Sequence, residues 1–164
     1  MIQTERLLLR RPEPGDADDF FDIFTDASTC QSDGGYPPYT VRDEAFQRDF
    51  DCIVKDAPNR LFAVEKQSGR VIGVLHLKDT ETEGEKEIGY VIHRNWRRRG
   101  YASEALEAVM ALLRAEGIRR IRCTVYLFNT PSQRLLEKLG FTCVGLVEKQ
   151  NPQWNERVYE KQMK

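Results

Sequence analysis

No apolar run in this 164-residue chain approaches the roughly 20 residues needed to cross a bilayer. The opening MIQTERLLLRR also lacks the apolar core and small-residue cleavage site of a secretory leader. A cytoplasmic location is therefore the expectation, with no membrane partner. Histidine is scarce: His76 and His93 are too few and too far apart to suggest a metal site. Four cysteines, Cys30, Cys52, Cys123 and Cys143, show no C-x-x-C spacing, which speaks against a zinc site and leaves a nucleophile as the lesser alternative. They are expected to be buried free thiols acting as small hydrophobes, most clearly Cys123 and Cys143 in their apolar runs. The P-loop pattern and the G-x-G-x-x-G dinucleotide fingerprint are both missing. A large charge excess is missing too. With 25 Lys and Arg against 26 Asp and Glu the formal net charge is -1. No global field recruits nucleic acid, so any attraction for anions is local. Repeats, low-complexity tracts and Pro/Gly-rich linkers are absent, and the length suits a single domain over 1–164.

What remains is an ordinary globular composition, 40 % hydrophobic and 31 % charged, with clear element signals. TERLLLRRP reads as a first strand. Asp16 is placed to cap a helix over ADDFFDIFTD, whose Phe20, Phe21, Ile23 and Phe24 form an apolar stripe. SDGGYPPYT reads as a loop, and VRDEAFQRDFDCIVK as a second helix. LFAVEK and RVIGVLHL form a hairpin around QSGR, and EIGYVIH is another strand. Ala102, Leu106, Val109, Met110 and Leu113 recur at helical spacing up to a stop at Gly117. IRCTVYLF is a β-branched strand. In TPSQRLLEKLGF, Thr130 is expected as N-cap, with Pro131 at the first helical position, Gln133 closing a capping box and Gly140 ending the helix. FTCVGLVEK and ERVYEKQM supply two last strands. The order β-α-α-β-β-β-α-β-α-β-β is an α/β domain around a mixed sheet.

One unit carries chemistry. A strand (EIGYVIH) runs through a short basic loop (RNWRRRGY) into an amphipathic helix. The helix start leaves backbone N–H groups unpaired and carries about half a positive charge, so it attracts anions. Gly100 lets the backbone approach phosphate oxygens. Arg97, Arg98 and Arg99 would add charge-assisted donors at the rim. Taken alone, Arg98 is equally well read as a solvated surface arginine.

Arg97-x-x-Gly100-x-Ala102 resembles the signature of the GNAT N-acetyltransferases, which binds the pyrophosphate of acetyl-CoA. EIGYVI resembles that family's central strand, and Asn129-x-x-Ser132 before LLEKLGF its later strand-to-helix segment. TERLLLRR, GVLHL, VGLVEK and ERVYEKQM are similar to the RimJ/RimL-type branch, which acetylates N-terminal amines of ribosomal proteins. The resemblance implies a mixed, mostly antiparallel sheet of about seven strands, about four helices and a splayed cofactor cleft. It implies that Tyr90, Val91 and Ile92 offer backbone groups to the pantetheine arm. Arg97, Arg98, Arg99, Gly100, Tyr101 and Ala102 would hold the pyrophosphate, with Asn129 beside pantetheine and Arg134 beside the adenosine phosphates. Asn129 can also be read as a turn residue with no ligand role.

The implied reaction is direct acetyl transfer from acetyl-CoA to a primary amine, on a protein N-terminus or a small molecule. A protonated amine cannot attack, so a base is required. Glu87 is the first candidate, unless it is simply a carboxylate at a hairpin end. His76 has a suitable intrinsic pKa but fits a core role as well. Where many members carry a helix tyrosine as general acid, this chain has Leu136, which leaves Ser132 or no acid at all. Asp79, Glu81, Glu83, Glu85 and Glu87 read either as a solvated hairpin tip or as a lure for a cationic amine. SDGGYPPYT and NPQWNERVY, with Tyr36, Tyr39 and Trp154, are the expected acceptor walls. A non-catalytic acyl-CoA sensor on the same fold and a nucleic-acid module using Arg94 to Arg99 are the competing readings. The sequence leaves a homodimer open.

Overall fold

Eight strands and five α-helices form in the computed structural model, which describes residues 1–164 apart from the side chain of Ala57. A short strand β1 (Ile2–Gln3) turns through Thr4–Arg6 into β2 (Leu7–Arg10). Three helices follow: α1 (Ala17–Ile23), α2 (Ala27–Asp33) and α3 (Glu44–Lys55). Then come β3 (Arg60–Glu65), β4 (Val71–Asp79), β5 (Glu85–Ile92), α4 (Tyr101–Ala115) and β6 (Arg120–Tyr126). The chain continues through α5 (Thr130–Lys138), β7 (Thr142–Val147) and β8 (Glu156–Gln162). The strands lie in one sheet in the order β1-β2-β3-β4-β5-β6-β8-β7, antiparallel except where β5 meets β6. No helix among the described residues is long and apolar enough to cross a membrane.

Each face of the sheet buries its own core, because every strand sends alternate side chains to opposite sides. On one face Leu106, Val109 and Leu113 of α4 and Leu136 of α5 pack over Ile88 and Ile121. On the other, Phe20, Phe46 and Phe50 cover Phe62, Val74 and Val91, with Phe20 stacked 5.9 Å from Phe62. The predicted stripe on α1 is this second core's edge, with Phe20, Ile23 and Phe24 buried.

Parallel pairing of β5 with β6 covers only Glu85–Glu87 and Arg120–Arg122. Glu85, its side chain 4 % exposed, receives the Arg120 guanidinium at 2.5 Å and locks that base. Beyond it β5 stays on β4 up to Ile92, while β6 stays on β8 up to Tyr126. The two strands part company there.

Several local expectations need correction. SDGGYPPYT is not wholly a loop: Ser32 and Asp33 end α2, which Asp26 starts by accepting from the Thr29 N–H at 2.9 Å. Asp16 makes no side-chain cap for α1; its carboxylate is taken by Arg10 and the Glu13 N–H. The N-cap of α5 is Asn129, whose side chain accepts from the Ser132 N–H. Gln133 donates instead to the Tyr126 and Leu127 carbonyls, so no capping box closes on Thr130. Cys30 and Cys123 are buried as expected, whereas Cys52 and Cys143 are exposed. Cys143 lies on β7, an edge strand whose side chains are mostly uncovered.

The cap of α2 yields a stability test. Burial opposes ionisation of Asp26, but hydrogen bonds from Ser28 and Thr29 and the charge of Arg97 hold its carboxyl down at about 2. A depressed carboxyl stabilises above its unfolded value and loses that stabilisation as pH falls through the folded one. Asp26→Ala should cost about 1–2 kcal/mol in urea unfolding at neutral pH. The gap from wild type should be full above about pH 4 and shrink toward pH 2. A gap that stays constant over that range would contradict the assignment.

Candidate active site

Gly100, at φ 81, opens α4 in the left-handed conformation, and no side chain caps the helix among the described residues. The first N–H groups of α4 therefore remain available to a ligand. Arg98, at φ 61, is the only non-glycine residue with positive φ among the described residues. Such backbone costs about 1–3 kcal/mol and is kept where the loop's shape matters. A cleft of about 540 Å³ opens here, lined by Trp96, Arg97, Arg98, Gly100, Tyr101, Ala102 and Ser103 on one side. Leu135 and Lys138 of α5 face them. A Cβ built on Gly100 meets nothing within 4 Å except Arg6 Nη2, at 3.3 Å. A side chain there would point toward Arg6, and the left-handed backbone itself favours glycine.

The cleft continues between β5 and β6, and backbone register decides what it offers. The His93 N–H donates to the Ile72 carbonyl at 2.7 Å, and Val91 lies opposite Val74 in the same register. In an antiparallel pair the hydrogen-bonded positions alternate. Glu87, Gly89 and Val91 therefore turn their backbone groups to β4. Ile88, Tyr90 and Ile92 turn theirs toward the gap. The Ile92 carbonyl is already taken by Arg97 Nε at 3.0 Å. Of the three residues expected to meet pantetheine, Tyr90 has both backbone groups free for the gap and Ile92 its N–H. Val91 lines the cleft, but its backbone belongs to β4.

Ser32, Tyr90, Asn129 and Ser132 line both this arm and a second one of about 220 Å³, so they form the throat between them. The Tyr90 and Ser132 hydroxyls are 2.6 Å apart. Burial pushes the Tyr90 phenol well above its ordinary pKa, against the lowering effect of the Ser132 hydrogen bond. Asn129 Oδ1 caps α5, leaving its amide N–H₂ as the part that can serve a ligand. Leu136 is fully buried, so its position belongs to the core and not to the throat. Cys123 also borders the second arm, but burial, with Glu87 nearby, pushes its thiol up to about 12. It is not a nucleophile at neutral pH.

The second arm holds Glu87, His76 and Lys78 and runs into a pocket of about 660 Å³ through Asp33, His76 and Lys78. Unlike Glu85, Glu87 has no ion-pair partner among the described residues. His76 is a poor alternative. Burial and then the Arg60 charge push it down to about 4, and Arg60 is hydrogen-bonded to its ring. Tyr36, Tyr39 and the Pro37–Pro38 segment wall the outer pocket, and the Trp154 ring sits over Gly35. The Tyr36 hydroxyl is hydrogen-bonded to Asp33 and that of Tyr39 to Asp49, 2.9 Å away.

Charge reverses along this path. The arm at α4 carries Arg97, Arg98 and Lys138 and no carboxylate. The other end carries Asp33, Asp43, Asp49, Glu87 and Glu156 against Arg60 and Lys78.

Some predicted residues stand elsewhere. Arg97 is not a free rim cation: its guanidinium binds the Ser28 and Thr29 hydroxyls and Asp26 besides the Ile92 carbonyl. Arg94 is likewise held by Asp22, so the arginine run is no open basic stripe for nucleic acid. Neither Arg99 nor Arg134 lines the cleft; Lys138, one helical turn beyond Arg134, does. That i+4 spacing was the available signal. Of the acidic series, Asp79 pairs with Lys86, Glu85 with Arg120, and Glu81 and Glu83 are exposed beside the turn; only Glu87 reaches the acceptor arm.

A splayed mixed sheet with an uncapped helix start at its mouth makes a cleft suited to an extended, anionic ligand. The profile of the acetyltransferase (GNAT) domain matches residues 6–142, and the chain belongs to that family. It is 32 % identical over 151 residues to an uncharacterized N-acetyltransferase, p20, of Bacillus licheniformis, across 89 % of this chain and 84 % of that one. Among solved structures, a GNAT-family acetyltransferase from Bacillus anthracis superposes with a TM-score of 0.84 at 25 % identity, over 98 % of this chain and 97 % of the other. Microcin C7 self-immunity acetyltransferase MccE, solved with acetyl-CoA and AMP, shares the fold with a TM-score of 0.82 at 17 % identity, over 98 % and 94 %. The protein is an N-acetyltransferase, and acetyl-CoA is the co-substrate that membership implies.

The cradle has a direct test. Gly100→Val should raise the dissociation constant of CoA at least about tenfold, because valine disfavours the left-handed backbone that opens α4 and its side chain would press on Arg6. Its unfolding free energy should fall by only about 1–2 kcal/mol. Normal affinity in a folded variant would remove the phosphate assignment.

Proposed function

We propose that the enzyme moves the acetyl group of acetyl-CoA directly onto the primary amine of a cationic acceptor, either a protein N-terminal α-amine of the RimJ/RimL kind or a small-molecule amine. The charge reversal along the cleft carries this reading: a polyanionic donor suits the arm at α4, and a cation suits the acidic arm beyond the throat. Acetyl-CoA supplies the activated acetyl group as a thioester. The α4 N-terminus, Gly100 and Arg98 hold its pyrophosphate, and Lys138 takes the phosphate role first expected of Arg134. Tyr90 and Ile92 offer backbone N–H groups to the arm in the gap. A fixed N–H aimed at a developing oxyanion is worth more in a dry cleft than in water. Glu87 accepts the ammonium proton, directly or through water. As the carbon–nitrogen bond forms and the carbon–sulfur bond breaks, the nitrogen gives its second proton to water and the sulfur leaves as thiolate, accepting a hydrogen bond from Ser132, which the Tyr90 hydroxyl backs. A sensor without turnover lacks support in this geometry, since an unpaired carboxylate stands in the acceptor arm.

Release of free CoA thiol, measured over a panel of primary amines of matched size, tests the acceptor class. Amines with a second positive charge should exceed neutral ones in kcat/KM by about tenfold, and carboxylate-bearing ones should be slowest. Equal rates across the panel would contradict it. In the same assay Glu87→Gln should lower kcat by about 10²–10⁴-fold. Unchanged turnover at every pH would remove Glu87 as the base.

A further inference from the structure

Arg6 does not line the cleft, yet it touches the cap and the first turn of α4. Its Nη1 donates to the Arg99 carbonyl at 2.8 Å. Its guanidinium lies 4.2 Å from the centroid of the Tyr101 ring. Its Nη2 stands 3.3 Å from where a Cβ on Gly100 would be. Its Nε and backbone N–H both donate to Glu104, at 2.7 and 2.8 Å, and the Thr4 hydroxyl donates to the same carboxylate. The β1–β2 turn is thus tied to the cap and first turn of α4. TERLLLRR was read as strand throughout; its first three residues are instead this brace.

We propose that Arg6 is a positioning residue for the phosphate cradle, orienting the Arg99–Gly100 peptide and neutralising Glu104. Two physical arguments support it. A trans peptide is planar, so its carbonyl and N–H point in opposite directions. Holding the Arg99 carbonyl on Arg6 therefore directs the Gly100 N–H away from Arg6. The second argument is electrostatic. Glu104 sits in the first turn of α4, where a carboxylate suits the helix dipole but repels a phosphate competing for the same field. Arg6 cancels that charge without entering the cleft, and its fork does so while reaching a second acceptor, which a lysine cannot match.

This inference rests on the cradle reading, and two acetyl donors separate the two. Acetyl-CoA carries the pyrophosphate; S-acetyl-pantetheine lacks it. Arg6→Ala should raise KM for acetyl-CoA about tenfold while kcat stays within about twofold. With S-acetyl-pantetheine its kcat/KM should stay within about twofold of wild type. Arg6→Lys should fall between. Equal losses with both donors would mean that Arg6 merely supports the fold, and an unchanged KM would remove its role; either overturns the proposal. Should Arg6→Ala fail to fold, hydrogen exchange on the wild type decides. CoA should protect the amides of residues 4–7 more than pantetheine does, and equal protection would overturn the proposal. A wild type that binds pantetheine and CoA equally well would overturn the cradle itself, and Arg6's role with it.

Discussion

Parallel pairing between β5 and β6 ends after three residues, and the cleft exists because of that ending. Backbone N–H and C=O groups are costly to leave without partners, so a strand that loses one neighbour needs a reason to keep its shape. Here each strand has a full antiparallel partner on its far side, β4 for β5 and β8 for β6. The Glu85–Arg120 ion pair closes the base. What opens above it is a wedge toward which Tyr90 turns both backbone groups and Ile92 its N–H, the Ile92 carbonyl being held by Arg97. The wedge comes with hydrogen-bonding capacity already aimed inward, and an extended ligand arm is the kind of partner that satisfies it.

At the wedge's mouth the chain places cations sparingly. A run of arginines suggests a positively charged surface, but Arg94 and Arg97 are committed to Asp22, Asp26 and backbone carbonyls. Their task is to fix the loop between β5 and α4 against α1 and α2. Binding capacity therefore rests chiefly on backbone: an uncapped helix start, a left-handed glycine and a strained Arg98. The charge left facing the cleft is modest, and that leaves the acidic arm beyond the throat as the opposite pole of one continuous path.

Periodicity made the helices and strands legible because each packs one face into a core, and alternation or 3.6-residue spacing records that face. The strand–loop–helix order around Gly100 was legible too, because a glycine and a helix-start pattern mark that junction. Side-chain partnerships between distant segments were not. Nothing near Arg97 in the chain announces Ser28, Thr29 and Asp26, and nothing near Arg6 announces Glu104. Asn129 took the cap expected of Thr130 because both are good cap residues one position apart. Register was hidden as well: which of Tyr90, Val91 and Ile92 faces the gap depends on how β5 pairs with β4. Cys143 followed its apolar neighbours in sequence, but β7 is an edge strand with little to cover it.

The central claim is that the wedge and the α4 start form one acetyl-CoA site, and a thermal-shift titration tests it most directly. Acetyl-CoA at about a hundred times its dissociation constant should stabilise the fold by about 2.7 kcal/mol, a rise of several degrees in Tm. ATP, NAD and a short RNA should produce much less. A Tm unmoved by acetyl-CoA, or a salt-sensitive rise with RNA alone, would contradict the account.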